Sequence, residues 1–195
     1  MFETLKNIDR SLFLKLNGFH NDLLDAVIPV LTYFPTWTPV FLLVLFLLVR
    51  KYKKRSLLFL LIVPLMILCS DQGSNLVKKS VKRYRPTHNT EIGEKVHVVE
   101  NYRGGQYGFV SGHAANSFAL ATIVILLLPA MHKGLKLVCI LWALLICYTR
   151  IYLGVHYPSD LFVGGMIGVL SAVLMYRLFL GLDKKFFPIN TDVHT

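Results

Sequence analysis

Apolar residues run almost unbroken through four stretches of the chain, at about 56–77, 113–131, 135–152 and 160–180, and a shorter fifth covers 36–49. Crossing a bilayer as a helix takes about 20 predominantly apolar residues, so the four long runs read as spans. The fifth reaches span length by drawing on residues 27–33, or by tilting and thinning the bilayer locally. Residues 9–19, DRSLFLKLNGF, mix apolar and polar positions and predict a helix lying in the membrane interface. The pattern predicts an all-α integral-membrane bundle of five to six spanning helices with an interfacial N-terminal helix.

One connection stands apart. Residues 83–112, RYRPTHNTEIGEKVHVVENYRGGQYGFVSG, are too many for a simple turn, and loops of that length serve as lids or binding segments. Gly104 and Gly105 supply a pivot within it. No internal repeat, low-complexity tract or linker divides the chain, so residues 1–195 are expected to form a single membrane-embedded domain. The N-terminus lacks a charged start followed by a short apolar core and a small-residue cleavage site, so no cleaved signal peptide is expected.

Composition agrees with the pattern. Charged residues make up 16% of the chain and hydrophobic ones 54%, where a soluble domain carries about a quarter charged residues. A net charge of +10 raises the question of nucleic acid. The basic residues, however, gather in RKYKKR (50–55), HKGLK (132–136) and DKK (183–185), between apolar runs. All three fall on one side if the spans alternate, and that side is the cytoplasm. No nucleic-acid partner is expected. The 83–112 segment and the HYPS turn then face outward, in a cell inner (plasma) membrane, toward the periplasm or cell exterior. KKSVKRYRP, at 78–86, is also basic yet lies on the outward side, which calls for a functional reason.

Several residues read as structural. Cys69, Cys139 and Cys147 are odd in number and lie in apolar runs, with no disulfide framework or CxxC metal spacing, and are expected to be small core residues. Gly164 and Gly168 suit close helix packing. Arg177 is expected to snorkel to the cytoplasmic face, and Trp37 and Trp142 to be interface anchors or core.

Three polar clusters sit at outward helix ends. In SDQGSNLVKKSVKRYRP (70–86), Asp71, Asn75, Lys78 and Arg85 are spaced to share one helical face. Pro86 should end that helix near Arg85. In FVSGHAANSFA (109–119), Ser111 suits an N-cap and Gly112 allows close approach of a ligand. His113 stands in the first turn, where exposed amides attract anions. In TRIYLGVHYPSD (149–160), Pro158 suits the first helical position. That puts Asp160 one turn from His156, where its carboxylate can hold one imidazole nitrogen and leave the other with a lone pair, as a nucleophile needs. Lys78, Arg85 and Arg150 together would repel a divalent metal and suit a phosphate dianion.

Together, Lys78-x6-Arg85-Pro86, Ser111-Gly112-His113 and Arg150-x5-His156-x3-Asp160 resemble the three-part signature of the type-2 phosphatidic acid phosphatase superfamily, in order and in spacing. Val110 stands where the family usually has Pro, and Thr149 where it usually has Ser. The resemblance implies that His156 attacks phosphorus and becomes a phosphohistidine, oriented by Asp160. It implies that His113 protonates the leaving oxygen and then activates water. Lys78, Arg85, Arg150, the Ser111 hydroxyl and the Gly112 amide would hold the phosphate oxygens, with no metal and no cofactor.

The expected function is therefore a membrane lipid phosphatase acting on a lipid phosphate or diphosphate: undecaprenyl diphosphate, phosphatidylglycerol phosphate, phosphatidic acid or a lipid A phosphate. Its expected partners are that substrate and the surrounding membrane lipids. Three alternatives remain at this point. They are a lipid phosphotransferase using the same site, a non-catalytic lipid-phosphate transporter and a vanadate haloperoxidase. The apolar spans argue against the last, because such proteins are soluble.

Overall fold

The structure, a computed structural model, describes residues 2–188. Among these residues lie seven α-helices and no strand: α1 (Phe2–Asn17), α2 (Asp22–Thr32), α3 (Thr38–Tyr52), α4 (Phe59–Val81), α5 (Gly112–Leu127), α6 (Lys133–Tyr152) and α7 (Pro158–Phe186). Short 3-10 turns connect several of them.

The centre of the bundle is α5, which packs against α4, α6 and α7. Its closest neighbour is α7, and the sequence explains why. A Cβ on Gly164 would stand 2.5 Å from the Ser111 carbonyl oxygen, and one on Gly168 would collide with the Ala115 carbonyl. Only hydrogen at those two positions lets the backbones meet. The outer faces carry exposed Leu42, Phe46, Leu60, Leu141, Phe162 and Leu170, a surface suited to lipid rather than water.

Three stretches are long and apolar enough to cross a membrane: Phe34–Val81, Ala130–Tyr152 and Pro158–Phe186. The first is not one rod. Lys53 has φ 50°, which interrupts the helix, and Phe34 from the start of the stretch lines the same cavity as Val63 and Ile67. The chain doubles back there to give α3 and α4, and Tyr52 meets Phe59 edge-on at 5.3 Å across the bend. At 16 residues, α5 is shorter than a full span.

All three basic loops lie at one end. Lys51 Nζ donates to the Leu127 carbonyl at 2.7 Å, and Arg55 pairs with Asp183 at 2.9 Å. The residues of the three polar clusters occupy the other.

Four expectations need correction. The amino-terminal helix covers 2–17 rather than 9–19, because residues before Asp9 continue its turns and Gly18 follows its end. The 27–33 segment does not extend α3. Residues 27–32 belong to α2, Tyr33 caps it, and a 3-10 turn over Phe34–Trp37 separates the two helices. Arg85 is not on α4, since Lys82 adopts a left-handed conformation (φ 48°) and caps the helix at Val81. Cys69 is exposed on the outer face, while Cys139 is buried and Cys147 partly so.

Candidate functional site

Arg85 reaches the other polar clusters through the long loop rather than along a helix. The two ends of that loop pair with each other: Arg85 N–H donates to the Gln106 carbonyl at 3.1 Å and Gly108 N–H to the Arg83 carbonyl at 2.9 Å. This pairing sets Arg85 beside Gly108, and Arg85 Nε donates to the Tyr107 carbonyl at 3.2 Å. Gly104 passes so close that a Cβ would stand 2.8 Å from Arg85 Nη1, and its φ of +64° favours glycine in any case.

The rest of the loop is held down by the amino-terminal helices. Asn17 of α1 is buried, and its amide donates to the carbonyls of His97 (3.2 Å), Ile151 (3.1 Å) and Tyr152 (2.8 Å). Its oxygen accepts from His97 N–H at 2.8 Å. One side chain thus ties α1 to the loop and to the end of α6. Asp25 of α2 pairs with His97 Nε2 at 2.7 Å, and Arg10 pairs with Glu91 at 2.6 Å.

Beneath the loop lies a cavity of about 600 Å³. Lys78 from α4, Arg85 from the loop, Gly112 and His113 from α5, Arg150 from α6 and His156 from the α6–α7 turn all line it. Asp71 and Asn116 add polar groups. On its other side the same cavity is bounded by Phe34, Val63, Ile67, Leu120, Trp142 and Ile146. One side of it is cationic and the larger part apolar. Trp142 is therefore core and cavity wall rather than an interface anchor.

His156 and Arg150 are buried, whereas His113 is open to the cavity. Arg150 donates to the Thr32 hydroxyl at 3.0 Å and to the Tyr102 phenol oxygen at 3.1 Å, which aims its guanidinium across the cavity. Burial, and then the positive charges of Arg85, Arg150 and Lys78, push the pKa of His156 well below its ordinary value. The imidazole is held as the free base, which has a lone pair to give.

Two of the sequence-predicted residues stand behind the cavity wall. Ser111 is buried and caps α5, its hydroxyl oxygen accepting from Ala114 N–H at 3.3 Å. Asp160, fully buried in the first turn of α7, has Oδ2 at 3.4 Å from His156 Nδ1. That oxygen also accepts from Tyr157 N–H at 2.9 Å. Its other oxygen accepts from Arg83 at 3.0 Å. The structure thus gathers all eight residues, six on the cavity surface and two supporting it.

The profile of the PAP2 superfamily matches residues 56–183, which include every one of the eight. The chain belongs to the PAP2 superfamily. It is 37% identical over 179 residues to a lipid A 4'-phosphatase of Bacteroides thetaiotaomicron, covering 90% of this chain and 79% of that protein. A lipid A 4'-phosphatase of Porphyromonas gingivalis is 30% identical over 196 residues, covering 98% and 81%. Among solved structures, Aquifex aeolicus LpxE superposes with a TM-score of 0.65 at 27% identity, over 86% of this chain and 93% of that one. The PAP2-type phosphatidylglycerolphosphate phosphatase of Bacillus subtilis shares the fold, with a TM-score of 0.64 at 20% identity over 96% and 90%. This PAP2 protein is a membrane-embedded phosphatase of lipid phosphates.

Sequence reasoning missed four residues of this PAP2 site. Arg83 was visible only as one more charge in KRYRP. Thr32, Tyr102 and Asp9 carry no local signal, since each meets the site through a contact between elements far apart in the chain.

Proposed function

We propose that the chain removes the terminal phosphate of a lipid phosphate or diphosphate through a phosphohistidine on His156. The observation that carries this reading is an imidazole, with Asp160 3.4 Å from its Nδ1 and three cations around it, in a cavity that continues into an apolar wall.

The imidazole nitrogen turned away from Asp160 attacks phosphorus, and the bond to the leaving lipid oxygen breaks. His113, protonated once the bound phosphate dianion offsets the three cations, gives that oxygen its proton. Lys78, Arg85 and Arg150 neutralise the charge spread over the phosphoryl oxygens, which is where phosphoryl transfer gains most of its rate. The Gly112 amide, at the start of α5, completes the cradle, and Ser111 supports it from behind by capping that helix. Water, activated by the now neutral His113, then attacks phosphorus and breaks the P–N bond. Phosphate leaves with His156 restored. The three cations do the electrostatic work of a metal, so none is called for.

The apolar wall accommodates a lipid chain beside the reacting phosphate. The two relatives named for lipid A 4'-phosphate favour that substrate over undecaprenyl diphosphate, phosphatidylglycerol phosphate and phosphatidic acid. We place the chain as one domain in the inner membrane with the site toward the periplasm, because the basic loops gather at the opposite end of the bundle.

The test is phosphate release by wild type and His156→Ala in detergent with EDTA, against these four lipids. Turnover that survives EDTA, disappears in the variant and is greatest with lipid A supports the proposal. Equal release by the variant removes it. Transfer of labelled phosphate to an added lipid, in place of release, would identify a phosphotransferase.

A further inference from the structure

Asp160 is buried with no exposed side-chain surface, and a carboxylate there depends on its partners. Among the described residues its cationic partner by direct hydrogen bond is Arg83, whose Nη1 donates to Oδ1 at 3.0 Å. Arg83 does not line the catalytic cavity. It sits on the far side of Asp160, in a separate cleft between α1 and α7 that is also lined by Asp9, Tyr157 and Ser159.

Its position there is fixed from several directions. Nη2 donates to Asp9 of α1 at 2.7 Å, and Nη1 also donates to the Ser159 hydroxyl at 2.7 Å. The guanidinium lies 3.9 Å from the centre of the Tyr157 ring. Asp9 in turn accepts from Ser159 N–H at 2.9 Å, in the first turn of α7, and from its hydroxyl. The chain of contacts runs Asp9, Arg83, Asp160, His156, and it begins on a helix that no cavity-lining residue belongs to.

We infer that Arg83, held by Asp9, is a positioning residue: it fixes the Asp160 carboxylate and through it the orientation of the His156 imidazole. A planar guanidinium presents two donor edges in a fixed geometry and holds two carboxylates at a set separation, which the compact, freely rotating ammonium of lysine does less well. Without it, Asp160 loses its cation while remaining buried, and the Tyr157 N–H is left to hold the carboxylate beside Nδ1. Because α1 supplies Asp9, the amino-terminal helix is part of the catalytic unit and not only an interfacial attachment. This inference rests on the proposed role of His156.

The experiment compares wild type, His156→Ala, Arg83→Met, Arg83→Lys, Asp9→Asn and the Arg83→Met/Asp9→Asn double variant. Each is purified as the full chain in detergent, with kcat and KM normalised to folded protein by size-exclusion profile. Misplacing a reacting group by an ångström costs about a hundredfold, so Arg83→Met is expected to lose kcat on that order with KM unchanged. Arg83→Lys should recover part of the loss and Asp9→Asn should lose less than Arg83→Met. The double variant should be no slower than Arg83→Met, because the two residues act as one unit.

A purely structural role predicts less folded protein but wild-type kcat in what remains, and that result overturns the inference. If Arg83→Met does not fold, Asp9→Asn and Arg83→Lys decide: reduced kcat at unchanged KM in both supports it, and wild-type kcat in both overturns it. His156→Ala separates the two readings. If that variant is active, the histidine mechanism fails. If it is dead while the Arg83 variants are normal, only the role of Arg83 fails.

Discussion

Gly168 of α7 lies so close to Ala115 of α5 that its missing side chain is what allows the two backbones to meet. That contact, with Gly164 against Ser111 one turn away, brings the first turns of α5 and α7 together. His113 and Asp160 belong to those turns, so the packing of two glycines sets the width of the site.

A methyl group at either glycine should push the helices apart. Overpacking a close contact costs about 1–3 kcal/mol, so Gly168→Ala and Gly164→Ala are expected to lower the thermal unfolding temperature in detergent and to reduce activity together. Gly181, farther along α7, has nothing within 4 Å of where a Cβ would stand. Gly181→Ala should leave stability unchanged or raise it by up to about 1 kcal/mol through helix propensity.

The phenol of Tyr102 is the long loop's direct contact with Arg150. Tyr102 is exposed on one side, so the bond is partly screened and worth about 0.5–1.5 kcal/mol. Tyr102→Phe keeps the ring over the guanidinium and removes only the oxygen. Activity in kcat/KM should fall by roughly two- to tenfold, while Arg150 keeps its bond to Thr32. Steady-state kinetics on a lipid phosphate measure it.

The apolar half of the cavity has its own test. Ile146→Trp adds bulk to the apolar wall of the cavity. A higher KM is expected for a long-chain lipid phosphate, with little change for a short-chain, water-soluble phosphate monoester. Equal loss on both substrates would place the lipid chain elsewhere.

His156 also makes a prediction about pH. Facing it are Arg85 and the Gly108 carbonyl from the loop, Lys78 from α4, His113 from α5, Arg150 from α6 and Asp160 from α7. In the folded chain the ring takes a proton only well below 6.5, its ordinary value. The unfolded ring takes one near 6.5, so in acid the unfolded chain binds the extra proton. Its contribution to stability is full above 6.5 and is lost as pH falls below it. His156→Gln should flatten the fall of unfolding temperature between neutral and mildly acidic pH. For the wild type, the nucleophile stays unprotonated through that same window.

Much of the site was legible in the order of residues because the chemistry is local to helix ends. Ser111-Gly112-His113 opens a helix as an N-cap and first turn must. His156 and Asp160 lie four positions apart around Pro158, and that spacing alone brings their side chains together. The lengths of the apolar runs and the sidedness of the lysines and arginines follow from what lipid and membrane insertion require of any chain. These properties belong to short stretches, and short stretches can be read one at a time.

Arg85 shows where local reading ends. Spacing put it on the helix of Lys78, but Lys82 closes that helix, and the Arg85–Gln106 and Gly108–Arg83 hydrogen bonds bring it into the cavity. Asp9 and Arg83 are 74 positions apart, and Arg83 and Asp160 are 77 apart. Nothing in either neighbourhood marks those partners. Apolar pattern and helix-end chemistry determine which elements form and at which end of the bundle their polar residues gather. Which distant charges meet depends on how the elements pack, since a buried carboxylate is satisfied by whatever cation the packing delivers to it.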